Sequence, residues 1–278
     1  MRERLRELYR YKELLLNLTR KEIKVKYKNS FFGFLWSLIN PLVMLVVFYV
    51  AFGVIFKLRS AGMQYYAFFL MSGILAWNFF ANSLAQSVAS IVGNGVLVKK
   101  VYFPREVLPL SYIGSAGFHF LLQEMVLLVF LIIFRVPLTP WILAFPLVLL
   151  LEVAFIVGVV MWISAINVFF RDVQHFTEIA LMAWFWMTPI IYPVSNMLNT
   201  LPSWAQKIYL CNPMAHIILL YQYIVYNSAH NAPGAEGVPS AVYVNFWAIG
   251  GVAVLSIFLT FFGYLYFTRR EGKFAEFV

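Results

Sequence analysis

A chain of 278 residues that is 62% hydrophobic and only 12% charged, with a mean hydropathy of +0.79, has more apolar surface than one water-soluble core can enclose, so its solvent is lipid. The net charge of +9 does not point to nucleic acid, because ten of the 21 Lys and Arg residues precede Phe31, where they flank a membrane span and suit anionic lipid or an acidic partner. The single cysteine, Cys211, excludes an intrachain disulfide and matches no metal-ligand spacing.

The N-terminal stretch lacks the short apolar core and cleavage site of a signal peptide, so nothing is expected to be removed. Over residues 1–30, Leu5, Leu8, Leu15, Leu18 and Ile23 recur at helical spacing, while Arg6, Arg10, Glu13, Asn17, Lys21, Lys24 and Lys28 occupy much of the rest. That pattern describes an amphipathic helix lying in the inner membrane interface, as a topology anchor, a protein-docking element or both.

From residue 31 onward, six stretches are long and apolar enough to cross a bilayer, which takes roughly 20 residues. They are 31–56, 65–91, 107–134, 141–170, 176–192 and 243–267, the fifth being short. The expected fold is therefore all-α, with residues 31–278 forming a six-span transmembrane domain. Basic residues set its orientation. With the N-terminus inside, seventeen Lys and Arg fall in inner segments and four (Lys57, Arg59, Arg135 and Lys207) in outer ones, which puts both termini in the cytoplasm. Met214 to Tyr226 is apolar but short and follows Asn212-Pro213; a full crossing there would strand Arg269, Arg270 and Lys273 outside. It reads as re-entrant, part of an outer hairpin over about 193–226 that prolines 189, 193, 202 and 213 break into short pieces. Residues 227–240, rich in Gly, Pro and Asn, read as an outer loop.

Several features can carry function. In the second span Asn78, Asn82, Gln86 and Ser90 fall at four-residue intervals with Ser83 and Ser87 beside them, and such a face must meet another helix, a second copy of the chain or a polar conduit. Glu124 and Glu152 sit near the middle of their spans with His119 and Gln123 close to the former; a proton relay, a catalytic pair or a neutral buried acid all fit. Aromatic residues make up 19% of the chain. Most suit an interface belt, but Trp77, Trp184, Trp186 and Tyr192 are candidates to line a pathway in which flat rings guide sugar rings. The loop GNGVLVKKVYFPREVLPLS, with Lys99, Lys100, Val101, Tyr102, Phe103 and Arg105, places apolar side chains where a solvated connector has no use for them and reads as a docking knob. No GxxxxGK[ST] phosphate loop, no HExxH and no soluble segment long enough for a nucleotide-binding domain is present, so any energy from ATP must come from another chain.

Four stretches carry a resemblance: KEIKVKYKNSFFGFLWSLINP, KKVYFPREVLPLS, FFRDVQHF and YLCNPMAHIILLYQ. Together they resemble the membrane (permease) subunit of ABC exporters for cell-surface polysaccharides, the group that moves lipid-linked O-antigen, capsule chains or wall teichoic acid. The resemblance implies a homodimer in the bacterial cytoplasmic membrane, bound to two copies of a separate ATPase that holds ATP and Mg. The chain itself would bind no cofactor or metal and catalyse no covalent step. It further implies an interface helix containing Arg20, Lys21 and Lys24, a coupling helix at about 94–106 and short outer helices between the fifth and sixth spans. These motifs do not choose among undecaprenyl-linked glycans and teichoic acids. Two other classes stay open on the residues alone: an ion-coupled secondary transporter, and a membrane-embedded glycosyl- or acyltransferase using His119, Glu124 or Glu152.

Overall fold

The computed structural model describes residues 2–28, 30–55, 66–136, 138–194, 200–230 and 244–278, and every regular element among them is a helix. Lys57, Arg59, part of the outer hairpin and most of the expected outer loop lie outside the described residues. In chain order the helices are α1 (Arg2–Arg10), α2 (Lys12–Lys26), α3 (Trp36–Phe48), α4 (Tyr66–Val88), α5 (Ser90–Gly93), α6 (Gly95–Lys100), α7 (Val107–Ile133), α8 (Phe145–Phe169), α9 (Asp172–Trp186), α10 (Ser203–Leu210), α11 (Pro213–His230), α12 (Phe246–Arg270) and α13 (Phe274–Phe277).

Four stretches are long and apolar enough to cross a membrane: Tyr66–Val88, Val107–Ile133, Pro140–Phe169 and Phe246–Phe277. α10 and α11 pass the same test only as a pair, bent by 77° at their junction, which raises the number to five at most. The first and fifth expected spans are not single long helices. In the first, a 3₁₀ turn at Gly33–Leu35 precedes α3, and the ladder slackens into a π-helical stretch at Tyr49–Ile55.

The fifth ends early for a visible reason. After the 15 residues of α9 the chain meets Thr188-Pro189 and continues without helix through Ile190 and Ile191, both buried. Open backbone in so apolar a place needs partners. The Gln222 side chain on α11 donates from Nε2 to the carbonyls of Pro189 (2.9 Å) and Ile190 (3.3 Å), and the Tyr66 hydroxyl donates to that of Ile191 (2.7 Å). Gly73 makes room for this arrangement, since a Cβ there would lie 2.8 Å from Gln222 Nε2. Replacing Gln222 with Leu strands two buried carbonyls, and a stranded group costs about 1–3 kcal/mol. Gln222→Leu is therefore expected to lower thermal stability clearly in detergent; an unchanged melting curve would show that these bonds are not what holds the segment.

α4 is the most enclosed of the long helices, with α7, α8 and α11 around it, and its buried residues make up much of the larger core cluster. α8 and α12 approach so closely that Gly158 and Gly263 face each other; a Cβ on Gly263 would lie 2.7 Å from the Gly158 carbonyl oxygen. The outward faces of α7, α8 and α12 are apolar and exposed, with Ile132, Leu147 and Val254 among them, which suits lipid.

A second, smaller core closes the end of the bundle that holds both terminal segments. Val98, Phe103, Val107, Phe267 and Phe274 form it, and Leu8, Leu14, Leu15 and Leu18 of the amphipathic N-terminal helices pack onto it. Their apolar stripe, expected to face the membrane interface, thus meets protein. α2 also lies against α7, where Gly114 permits the contact: a Cβ there would be 3.1 Å from Thr19 Oγ1.

Candidate functional site

Two rows of residues spaced by four face one cleft. On α4 the row is Asn78, Asn82 and Gln86; on α3 it is Trp36, Asn40 and Met44, and Gln123 of α7 and Lys26 and Tyr27 at the end of α2 complete the walls of a space of about 490 Å³. Spacing of four places each row along a single helix face. A smaller recess continues between α4 and α7 towards Ser115 and His119. The Tyr27 hydroxyl lies 3.3 Å from His119 Nδ1, and the two rings meet edge to face at 5.4 Å. Asn82 donates from Nδ2 to the Asn78 carbonyl at 2.7 Å and otherwise faces the opening. The serines expected on the same polar face are instead packed away: Ser83, Ser87 and Ser90 are buried, and Ser87 Oγ donates to the Pro109 carbonyl on α7 at 3.1 Å.

Sequence reasoning missed Trp36 and Asn40, although their spacing with Met44 matches the row it found on α4. Of the tryptophans expected to line a pathway, Trp77 is buried and Trp184 half-buried. Trp77 is 5% exposed and packs at 6.5 Å from Trp184, whose ring also meets Phe80 at 5.1 Å. Trp184 Nε1 donates to Asn212 Oδ1 at 2.8 Å, and Asn212 Nδ2 in turn donates to Thr188 Oγ1 at 3.0 Å and to the Met187 carbonyl at 3.1 Å. Asn212 therefore pins the α10–α11 turn to the end of α9, in mid-bundle. Trp184 is tied to that joint by its bond to Asn212, and Trp77 packs against it. Trp186 is exposed and Tyr192 half-buried, its hydroxyl donating to the Trp186 carbonyl at 2.7 Å, and neither reaches the cleft.

The buried acids also meet packing partners. Glu152 accepts from the Tyr221 hydroxyl at 2.7 Å, and Glu124 lies near enough to interact with the pair electrostatically. This cluster joins α7, α8 and α11 in the core. His119 lines the recess beside the cleft, where its ring meets Tyr27. Among the described residues, no group of His, Cys, Asp and Glu has the arrangement of a metal site.

At the terminal end, α5 and α6 form a short ridge. Lys99 and Lys100 are exposed in its last turn, Val101 follows at 51% exposure, and Tyr102 stands out at 87%. Phe103, expected to dock with Tyr102 into a partner, is 6% exposed and already buried in the smaller core. The aromatic pair divides its work: Phe103 anchors the ridge and Tyr102 is presented by it. Arg105 donates to the Glu271 carbonyl, Tyr264 donates from its hydroxyl to Glu106 Oε1 at 3.0 Å, and Phe274 closes the base. A cleft of about 360 Å³ between Tyr102, Arg105, Arg269 and Glu7 opens beside it. Arg20, Lys21 and Lys24 are exposed on α2, and Lys21 pairs with Glu22 at 3.1 Å. Tyr112 of α7 lies near enough to Glu22 of α2 and to Asn94 at the ridge to interact electrostatically with both.

The family model described as ABC-2 type transporter matches residues 13–226. The chain is similar to two proteins from Klebsiella pneumoniae called O-antigen export system permease protein RfbA, each 33% identical over 265 residues, 95% of this chain and 94% of theirs. It is also similar to a protein of that name from Myxococcus xanthus, 32% identical over 98% of this chain and 97% of the other. With a family match over most of its length and relatives aligned nearly end to end, the chain belongs to the ABC-2 type transporter membrane family.

Proposed function

We propose that the chain is the transmembrane subunit of an ATP-driven exporter that moves an O-antigen-type polysaccharide on a polyprenyl lipid carrier across the cytoplasmic membrane. The observation that carries this reading is the likeness, over 95% of the chain, to proteins named as O-antigen export permeases. The polar cleft supports it: amides and an exposed tryptophan at membrane depth suit a hydroxylated, ring-shaped cargo. ATP and Mg belong to a separate ATPase, which docks on the ridge at Val101 and Tyr102 with Lys99 and Lys100 at its rim. Two permease chains and two ATPases make the working unit. Both termini lie in the cytoplasm, as the basic residues require, and the pair α10 and α11 is a hairpin that enters and leaves from the outer side. Its turn sits at the level of Trp184 and Phe80, while Tyr226 returns to Phe69 at the start of α4.

Deleting the chain from its host should abolish the surface polysaccharide while carrier-linked polymer accumulates on the inner leaflet, and the wild-type chain should restore export. Surface polymer at normal amounts in the deletion strain would reject the reading.

A further inference from the structure

The cleft between α2, α3, α4 and α7 has an uneven chemistry. One edge carries Lys26, whose ammonium has no carboxylate partner among the described residues. Although part of the side chain is exposed, the neighbouring protein desolvates the ammonium enough to lower its pKa from the ordinary lysine value. A cation in that position gains from any anion that comes close. The remaining wall is neutral and rich in amides, with Asn78, Asn82, Gln86 and Gln123 on two helices and the Trp36 ring, 47% exposed, opposite. Among the described residues, no acidic side chain lines the cleft. Its volume falls in the range of small-molecule sites.

We infer that this cleft holds the junction of a lipid-linked glycan, with the phosphate of the carrier at Lys26, the first sugars hydrogen-bonded by Asn82 and Gln123, and Trp36 under a sugar face. The inference rests on the export function proposed above and assigns that function a loading site within one protomer. Amides offer both donors and acceptors, which matches sugar hydroxyls, whereas a site for phosphate alone would concentrate basic groups. Lys26 and Tyr27 are at the end of the N-terminal helices, so cargo in the cleft touches the element whose leucines pack on the smaller core beneath the ridge. A phospholipid headgroup offers phosphate as well, and the test separates the two sources.

The permease with its ATPase, in nanodiscs of neutral lipid, is titrated with three probes: a short-chain polyprenyl diphosphate disaccharide, the same polyprenyl diphosphate without sugar, and phosphatidylglycerol. Lys26→Gln should weaken both diphosphate probes on the order of tenfold, the loss of one charge-assisted contact. Lys26→Arg should retain most of the affinity. Asn82→Ala and Gln123→Ala should weaken the disaccharide probe about fivefold each and leave the sugar-free probe unchanged. Gel-filtration profiles and melting curves like those of the wild type establish that each variant is folded. If the wild type binds the disaccharide probe and all variants bind it equally, the cleft assignment is wrong and the export reading stands. If phosphatidylglycerol displaces the disaccharide probe at equal concentration, the cleft is a phospholipid site and the inference fails. If the wild type binds neither diphosphate probe, the cleft assignment falls together with the carrier-linked cargo on which it rests.

Discussion

Phe103→Ala should release the ATPase from the permease even though Phe103 is buried within its own chain. The side chain is 6% exposed among Val98, Val107, Phe267 and Phe274, and truncating a buried phenylalanine costs about 3–5 kcal/mol through lost transfer energy and the cavity left behind. That loss falls on the base of the ridge, so Val101 and Tyr102 lose their fixed presentation. Two measurements check it: co-purification of the ATPase, and the melting temperature of the isolated permease. Both should drop. Tyr102→Ala, by contrast, removes a side chain that is 87% exposed, so stability of the isolated permease should be unaltered. A buried aromatic anchor at an interface costs about 2 kcal/mol or more when truncated, roughly a thirtyfold loss of affinity. A Phe103→Ala permease that melts like the wild type would overturn the division of labour between the two rings.

Gly158→Val should prevent the permease from folding, and Gly158→Ala should already destabilise it. A Cβ at Gly158 would lie 2.7 Å from both Leu259 Cβ and Thr260 N, and the second of these is backbone that cannot rotate away. Overpacking commonly costs about 1–3 kcal/mol and more where relief requires two helices to separate. Separation would also break the 2.7 Å bond from Thr260 Oγ1 to the Ala154 carbonyl. In lipid no hydrophobic force drives helices together, so close packing at small residues supplies the contact instead. Gly250, with nothing within 4 Å of its built Cβ, is the control: Gly250→Ala should behave as wild type in fluorescence-detected gel filtration. Monodisperse Gly158→Val at wild-type yield would show that the α8–α12 contact is not needed.

Much of the fold was legible because it rests on local pattern. The long apolar runs of α4, α7, α8 and α12 announce helices in lipid whatever lies beside them, since a spanning backbone must satisfy its own hydrogen bonds. The polar row Asn78, Asn82 and Gln86 was visible for the same reason, a period of four on one helix. The exposed ridge at Lys99 to Tyr102 followed from apolar side chains in a charged connector.

Other features depend on residues far away in the chain, and composition cannot reveal them. The fifth span reads as a helix in prospect, yet α9 stops at Trp186 because Gln222 and Tyr66 offer its open carbonyls partners from other helices. Ser83 and Asn82 are neighbours of similar polarity, but the first is fully buried and the cleft receives the second. Tyr102 and Phe103 are adjacent rings that sequence could only treat as a pair; the smaller core, built from both ends of the chain, buries one and leaves the other out. Helical period determined, from sequence alone, that this is an all-helical membrane protein with a polar stripe, and the apolar side chains of a charged connector marked out an exposed ridge. Which side chains line the cleft, and which merely hold the helices together, was decided only by the packing of segments distant in sequence, because burial belongs to a residue's neighbours in space and not to its own chemistry.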